Sequence, residues 1–172
     1  MSGAPVRSGA IFSLCRRWRY ALWRTWDDET KRVAFIGLNP STADEHEDDP
    51  TIRRCAGFAR AWGYGGLVML NLFGWRATDP REMRAVVDPV GPGNDAVLRE
   101  YASNPEVALL VAAWGSDGGY LTRDRAVRNL LAGHDLFTLG LTKSGKPRHP
   151  LYLPQDLTPR LWCAATTPTP AA

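Results

Sequence analysis

The chain has 172 residues, of which 44% are hydrophobic and 23% charged, and its formal net charge is +3. This length and composition exclude a largely disordered chain. They predict one domain whose core is large enough to fold without disulfide bonds or a structural metal. Three widely spaced cysteines with no Cys-x-x-Cys pair give no sign of a zinc or redox site. No stretch has the apolar length of a signal peptide or a membrane span, so we expect a cytoplasmic monomer without membrane contacts.

The ends of the chain differ in composition from its middle. We expect a flexible N-terminus at residues 1–8, a single α/β domain at residues 9–163 and a disordered tail at residues 164–172. The tail is rich in Ala, Thr and Pro, a low-complexity composition that does not support a packed core.

Arginines and aromatic residues alternate between Cys15 and Trp26. The pattern fits a strand that pairs with the following strand through the turn at residues 27–30, and helical spacing of the apolar residues fits nearly as well. Basic residues interleaved with aromatics are typical of nucleic-acid binding, through phosphate contacts and base stacking. The alternative is an amphipathic strand with Trp inside and Arg outside.

Four apolar runs predict the strands of a central sheet: Val33–Leu38, Leu67–Phe73, Val107–Trp114 and Leu136–Leu141. Continuous apolar runs are typical of parallel strands that are covered on both faces. Helical patterns lie between them, at Pro50–Trp62, Asn94–Ser103 and Thr122–Leu131. Strands that alternate with helices predict a three-layer α/β/α fold with a central, mainly parallel four-stranded sheet, to which an N-terminal strand or hairpin can be added.

The predicted helices have recognisable starting residues. Asp49 followed by Pro50 predicts a cap and a first helical residue, and Asn94 and Thr122 are the predicted caps of the other two helices. Cys55 shares the apolar face of the first helix, which favours a core position over a nucleophile. We expect a loop at residues 74–80.

Polar residues stand at or beyond the carboxyl ends of the predicted strands: Asn39, Asn71, Ser116 and His149. The carboxyl ends of parallel strands meet at one edge of a sheet, where ligands of α/β proteins bind, so we expect these four residues to converge. A buried amide such as Asn71 needs partners and is therefore either bonded to backbone or reserved for a ligand.

The order of these motifs resembles the uracil-DNA glycosylase superfamily. Gly37-Leu-Asn-Pro40 is similar to the motif whose Asp or Asn positions the attacking water, and Leu70-Asn71 followed by Arg76 resembles the strand that offers an Asn to a flipped base. Trp114-Gly115-Ser116 resembles the Trp-Gly element. His149-Pro150 resembles the His-Pro-Ser motif, although Leu151 stands where Ser is usual. The stretches GLNPSTAD, DPTIRRC, NLFGWRATDP and GKPRHPLY are similar to the DUF1643 family over nearly the whole chain.

These resemblances imply a DNA glycosylase-like protein that recognises a flipped damaged or modified base and hydrolyses its N-glycosidic bond without a metal or another cofactor. Asn39 and His149 are then the catalytic residues. The expected base-binding residues are Asn71, Phe73, Trp114 and Ser116, and the expected loop or phosphate contacts are Ser41, Thr42, Arg76, Lys143, Lys146 and Arg148. The alternative is a non-catalytic module that holds a nucleic acid, a nucleotide or a nucleobase on the same fold.

The acidic run at residues 44–49 also contains oxygen ligands that suit magnesium or calcium. Consecutive loop residues rarely all face one ion, so a solvated run whose last residue caps a helix is the favoured interpretation.

Overall fold

The apolar runs of the sequence form the centre of a twisted sheet. The computed structural model describes residues 7–167, and within them lie seven strands. They are β1 (Arg7–Phe12), β2 (Arg19–Thr25), β3 (Arg32–Gly37), β4 (Gly66–Asn71), β5 (Val107–Ala112), β6 (Leu136–Thr138) and β7 (Arg160–Cys163). Their order in the sheet is β1-β2-β4-β3-β5-β6-β7.

The sheet is mixed in direction. Strands β4, β3, β5 and β6 run parallel, whereas β1, β2 and β7 pair antiparallel with their neighbours. The α/β prediction is confirmed, and the four predicted strands are the parallel ones. The predicted sheet of four strands is too small, because the N-terminal hairpin β1–β2 extends one edge and β7 extends the other.

Helices cover both faces of the sheet. They are α1 (Pro50–Ala61), α2 (Pro80–Arg84), α3 (Asn94–Ala102) and α4 (Arg123–Leu130), and a 3₁₀ segment precedes α4 at Ser116–Thr122. Helix α1 packs on one face through Ile52, Cys55 and Phe58. Helices α3 and α4 pack on the other face through Leu98 and Val127. Cys55 is fully buried, as predicted for a core residue.

The predicted helix starts had different outcomes. Asp49 caps α1 by accepting a hydrogen bond from Ile52 N at 2.9 Å, as expected. Asn94 is the first residue of α3 rather than its cap, and its side chain turns away from the helix toward β4. Thr122 precedes α4, but its hydroxyl donates to Leu121 O instead of capping the helix.

The N-terminal basic and aromatic segment forms β2, so its interpretation as a strand is confirmed and the helical alternative is wrong. The predicted pairing with the following strand is also wrong, because β4 lies between β2 and β3 in the sheet. The prediction that its arginines point outward is also wrong for two of them. Arg19 is 1% exposed and Arg24 is 5% exposed. Arg24 Nε donates to Asp48 Oδ1 at 2.8 Å, which offsets the burial of its charge.

The predicted flexible ends lie mostly outside the described residues, since these begin at Arg7 and end at Thr167. Arg7 and Ser8 belong to β1. Beyond β7, Ala165 N donates to Asp135 Oδ1 at 2.7 Å and Thr166 N donates to Ala132 O at 2.7 Å. None of the helices in the described part of the chain has the length and apolar character needed to cross a membrane.

Candidate functional site

A cleft of about 380 Å³ opens at the carboxyl edge of the parallel strands. The chain leaves β3 toward α1 on one face of the sheet and leaves β5 toward α4 on the other face. Such a reversal creates the crevice in which α/β proteins bind ligands. Four residues singled out from the sequence line this cleft together: Asn39, Asn71, Ser116 and His149.

Asn71 ends β4 at the floor of the cleft. Its side chain is 3% exposed, and its amide nitrogen Nδ2 is buried without a hydrogen-bond partner. Gly37 is its register partner on β3, and a Cβ atom there would lie 2.9 Å from Asn71 Oδ1. The missing side chain at position 37 therefore leaves room for the amide. A buried donor without a partner raises the free energy of the folded state. An acceptor on a ligand can supply the missing hydrogen bond and so remove that cost.

The backbone around Asn71 is fixed by side chains from the other face of the sheet. Asn94 Nδ2 donates to Asn71 O and to Leu72 O, both at 3.0 Å, and Arg123 Nε donates to Leu72 O at 2.7 Å. These bonds satisfy the carbonyl groups where β4 ends. The amide of Asn71 is thus held on a rigid backbone.

Asn39 lies in the turn after β3. Its Nδ2 donates to Ala77 O at 2.8 Å and to Pro40 O at 3.1 Å. Carbonyl oxygens only accept, so these two bonds fix which end of the amide is the nitrogen. Within residues 7–167 its Oδ1 accepts no hydrogen bond. The turn therefore uses the nitrogen of Asn39, whereas its carbonyl oxygen has no partner among the described residues, and Asn39 lines the cleft.

His149 reaches the cleft because the loop after β6 folds back. Arg148 N donates to Gly140 O at 2.9 Å, and Gly115 N donates to Pro147 O at 2.8 Å. His149 Nδ1 accepts from Leu151 N at 3.2 Å. His149 keeps an exposed surface. The partial burial of its ring lowers the pKa of His149, and Asp49 opposes this only in part. The imidazole is then neutral at pH 7, with its proton on Nε2, which makes Nε2 a donor.

Arg19 is a cleft residue that the sequence analysis missed. Strand β2 runs antiparallel to β4, so its first residue meets the carboxyl ends of the parallel strands. Ile11 pairs with Ala21 and Phe12 pairs with Arg19, which leaves Tyr20 as an extra residue in a β-bulge. The bulge turns Arg19 toward the α1 side, where its Nη1 donates to Ala43 O at 2.7 Å.

The charge of Arg19 is buried beside the cleft. Burial lowers its pKa to about 10, although the carboxylate of Asp49 acts in the opposite direction. The guanidinium therefore remains protonated at neutral pH. Asp49 also lines the cleft and is itself buried, so the cap of α1 contributes a negative charge to the same site.

The two aromatic residues expected to receive a base are core residues. Phe73 is fully buried, packs against Tyr120 with ring centroids 5.6 Å apart and does not line the cleft. Trp114 borders the cleft but is 1% exposed and packs edge-on against Trp162. A base in the cleft therefore has no exposed face of either ring on which to stack.

The expected phosphate contacts separate into four groups. Ser41 lines the cleft, and Thr42 and Arg76 line a shallow groove beside it. Lys146 forms an ion pair with Asp124. Lys143 and Arg148 are exposed and do not line the cleft.

The shallow groove is basic. Arg16 and Arg17 join Arg76 in its lining, and it shares Ser41, Ala77 and Thr78 with the cleft. The guanidinium carbons of Arg16 and Arg76 lie 3.9 and 4.9 Å from the centre of the Phe12 ring. We call this surface, formed by Arg16, Arg17, Thr42 and Arg76, the arginine groove.

Acidic side chains of the run at residues 44–49 form hydrogen bonds and ion pairs with other groups of the chain. Asp44 Oδ1 accepts from His46 N and Glu47 N, both at 2.8 Å, and these bonds lower the pKa of Asp44. Glu45 pairs with Arg16, as Asp48 does with Arg24. Among the residues described, no three His, Cys, Asp or Glu side chains are grouped to hold a metal ion.

The fold and the cleft define an α/β protein with a polar crevice at the switch point of its sheet. The family model described as "protein of unknown function (DUF1643)" matches residues 19–151, so the chain belongs to that family. The matched range contains Arg19, Asn39, Asn71 and His149. Comparison with curated proteins and comparison with solved structures gave no match.

Proposed function

We propose that this protein takes a damaged or modified base out of DNA into the cleft and hydrolyses its N-glycosidic bond. The single observation that carries the proposal is the amide of Asn71, which is buried at the cleft floor with a donor that has no partner. An amide donates and accepts side by side and so matches the paired edge of a nucleobase. The resemblance to the uracil-DNA glycosylase superfamily agrees with this role.

The chemistry requires a water molecule near the sugar and a group that stabilises the departing base. The carbonyl oxygen of Asn39 orients the water, because the amide nitrogen is held in place by Ala77 O. The bond from the sugar carbon to the base nitrogen breaks with its electron pair going to the base, and the water oxygen bonds to the carbon. His149 Nε2 donates a hydrogen bond to the base as it gains negative charge, and the water proton passes to solvent.

The arginine groove supports a nucleic acid as the ligand. It joins the cleft through shared lining residues, so a strand whose base enters the cleft places its flanking phosphates beside Arg17 and Arg76. Lys146 is left out of this role because its ammonium pairs with Asp124.

A second candidate is a module that binds the base without cleaving it. Asn39 favours this alternative, since an amide takes up no proton from water and its nitrogen already serves the turn. The two candidates share the recognition by Asn71 and differ only in the fate of the ligand.

The experiment uses duplex and single-stranded oligonucleotides that carry a panel of altered bases. They are incubated with the protein and then treated with alkali, which cuts the strand wherever a base has been released. We expect cleavage at one class of altered base with the wild type and loss of cleavage with Asn39→Ala. Asn129→Ala, an exposed amide on α4, is the matched control. Binding of a base without any release favours the non-catalytic module.

A further inference from the structure

Three arginines are buried within residues 7–167, and one of them differs from the other two. Arg24 Nε donates to Asp48, and Arg123 Nη2 donates to Asp95. Arg19 is the most deeply buried of the three, and no carboxylate oxygen of the described chain lies within 4.0 Å of its guanidinium. The only hydrogen bond of the guanidinium to a described residue goes from Nη1 to Ala43 O.

The unused side of Arg19 is the part of a guanidinium that binds two oxygens at once. Nη1 is engaged by Ala43 O, whereas Nε is buried without a partner and Nη2 donates to no described residue. The edge formed by Nε and Nη2 matches a carboxylate or a phosphate in a side-on, bidentate geometry. Arg19 lines the cleft, so a ligand placed there lies next to its side chain.

The surrounding charges indicate the charge of that ligand. Asp49 is near enough to raise the pKa of Arg19, and the same carboxylate caps α1 at the cleft wall. Arg24, Arg76 and Asp44 also act on Arg19, so three positive charges stand against two negative ones and one added negative charge balances the site. The neutral imidazole of His149 adds no further positive charge.

We propose that Arg19 binds a monoanionic group with two oxygens, a phosphodiester or a carboxylate, in the cleft. The arginine groove continues from the cleft, which favours a phosphodiester of a nucleic acid strand over the carboxylate of a small molecule. The inference goes beyond the proposed function, because it concerns the charge of the ligand and holds whether or not a base is recognised or cleaved.

The test measures binding of an abasic oligonucleotide, which has phosphodiesters but no base at its centre, by calorimetry at low salt. Arg19→Met keeps the volume of the side chain without its charge and is expected to bind roughly ten- to a hundredfold more weakly than the wild type. Arg99→Met removes one charge from the exposed side of α3 and is the matched control, with unchanged affinity. Arg19→Lys, which keeps the charge without the bidentate edge, is expected to fall between.

Melting curves without ligand separate binding from folding. If Arg19 serves a ligand, Arg19→Met melts at the same temperature as the wild type or higher, because an unpaired buried charge has been removed. Equal affinity of the wild type and Arg19→Met overturns the proposal. So does a lower melting temperature of Arg19→Met together with wild-type affinity of a folded Arg19→Lys, since Arg19 then serves the fold alone.

Competition identifies the source of the anion. Displacement of the oligonucleotide by dimethyl phosphate supports the phosphodiester, and displacement by acetate alone supports a carboxylate as the group that Arg19 holds. The abasic probe also keeps this test separate from the proposed function. If base recognition by Asn71 fails, binding of the abasic probe and its dependence on Arg19 are unaffected.

Discussion

Replacement of Asn71 by leucine is expected to stabilise the protein when no ligand is bound. Leucine has as many side-chain heavy atoms as asparagine, so the substitution removes the polar groups without leaving a large cavity. The Nδ2 group of Asn71 is buried without a partner, and such a donor costs about 1–3 kcal/mol. Asn71→Leu should therefore raise the free energy of unfolding by about that amount.

The expected effect is large enough to measure by thermal unfolding. In a domain of this size 1 kcal/mol shifts the melting temperature by roughly 2–4 °C, so the melting temperature should rise by roughly 2–12 °C. Far-UV circular dichroism and tryptophan fluorescence should give the same midpoint if unfolding is two-state.

Asn94→Leu is the matched control because it makes the same substitution at another buried amide. Asn94 Nδ2 donates to Asn71 O and Leu72 O, so its loss should lower the free energy of unfolding by about 1–3 kcal/mol. Changes of opposite sign in the free energy of unfolding of the two variants support a ligand role for Asn71. A similar loss of stability in both would refute it, since the amide of Asn71 would then be a structural group.

Further predictions concern the cleft and the arginine groove. Gly37→Ala should push the Asn71 amide aside and weaken base binding measured by titration, because the added Cβ atom meets Asn71 Oδ1 at 2.9 Å. Asn39→Ala should leave oligonucleotide affinity nearly intact and lower cleavage roughly a hundredfold. Because the pKa of His149 is lowered in the folded protein, this imidazole takes up its proton at a higher pH in the unfolded chain than in the folded one. Below its ordinary pKa of 6.5 the wild type should therefore lose stability relative to His149→Gln, and melting curves at about pH 7.5 should show no such loss. DNA affinity should fall with salt by about one log-log slope unit per phosphate contact, and Arg76→Met should reduce that slope; a flat salt response contradicts a nucleic-acid ligand.

The parallel centre of the sheet was predictable because its strands are continuous apolar runs. Strand β7 was not, since it is short and partly exposed and shows no hydrophobic period. Helix α2 begins with Asp79 and Pro80, the same cap signal that predicted α1. The start of α2 is therefore readable from the sequence, although its five residues show no hydrophobic period.

The site was predictable where it depends on strand ends and not where it depends on irregular backbone. Asn39, Asn71 and His149 share the cleft because parallel strands carry their loops to one edge of the sheet. The position of Arg19 depends on a bulge at Tyr20 and on the antiparallel direction of β2, and no residue pattern specifies the bulge. The pairing of Lys146 with Asp124 likewise joins two loops that only the folded chain brings together.

The most direct measurement compares two oligonucleotides that differ only in whether the central nucleotide carries its base. Their affinities for the wild-type protein are measured at several salt concentrations, with a panel of altered bases at the central position. Recognition of a base in the cleft predicts that at least one base-bearing oligonucleotide binds roughly five- to a hundredfold more tightly than the abasic one. This preference should persist as added salt weakens the binding of both oligonucleotides. Equal affinity for the abasic oligonucleotide and for every member of the panel would contradict base recognition.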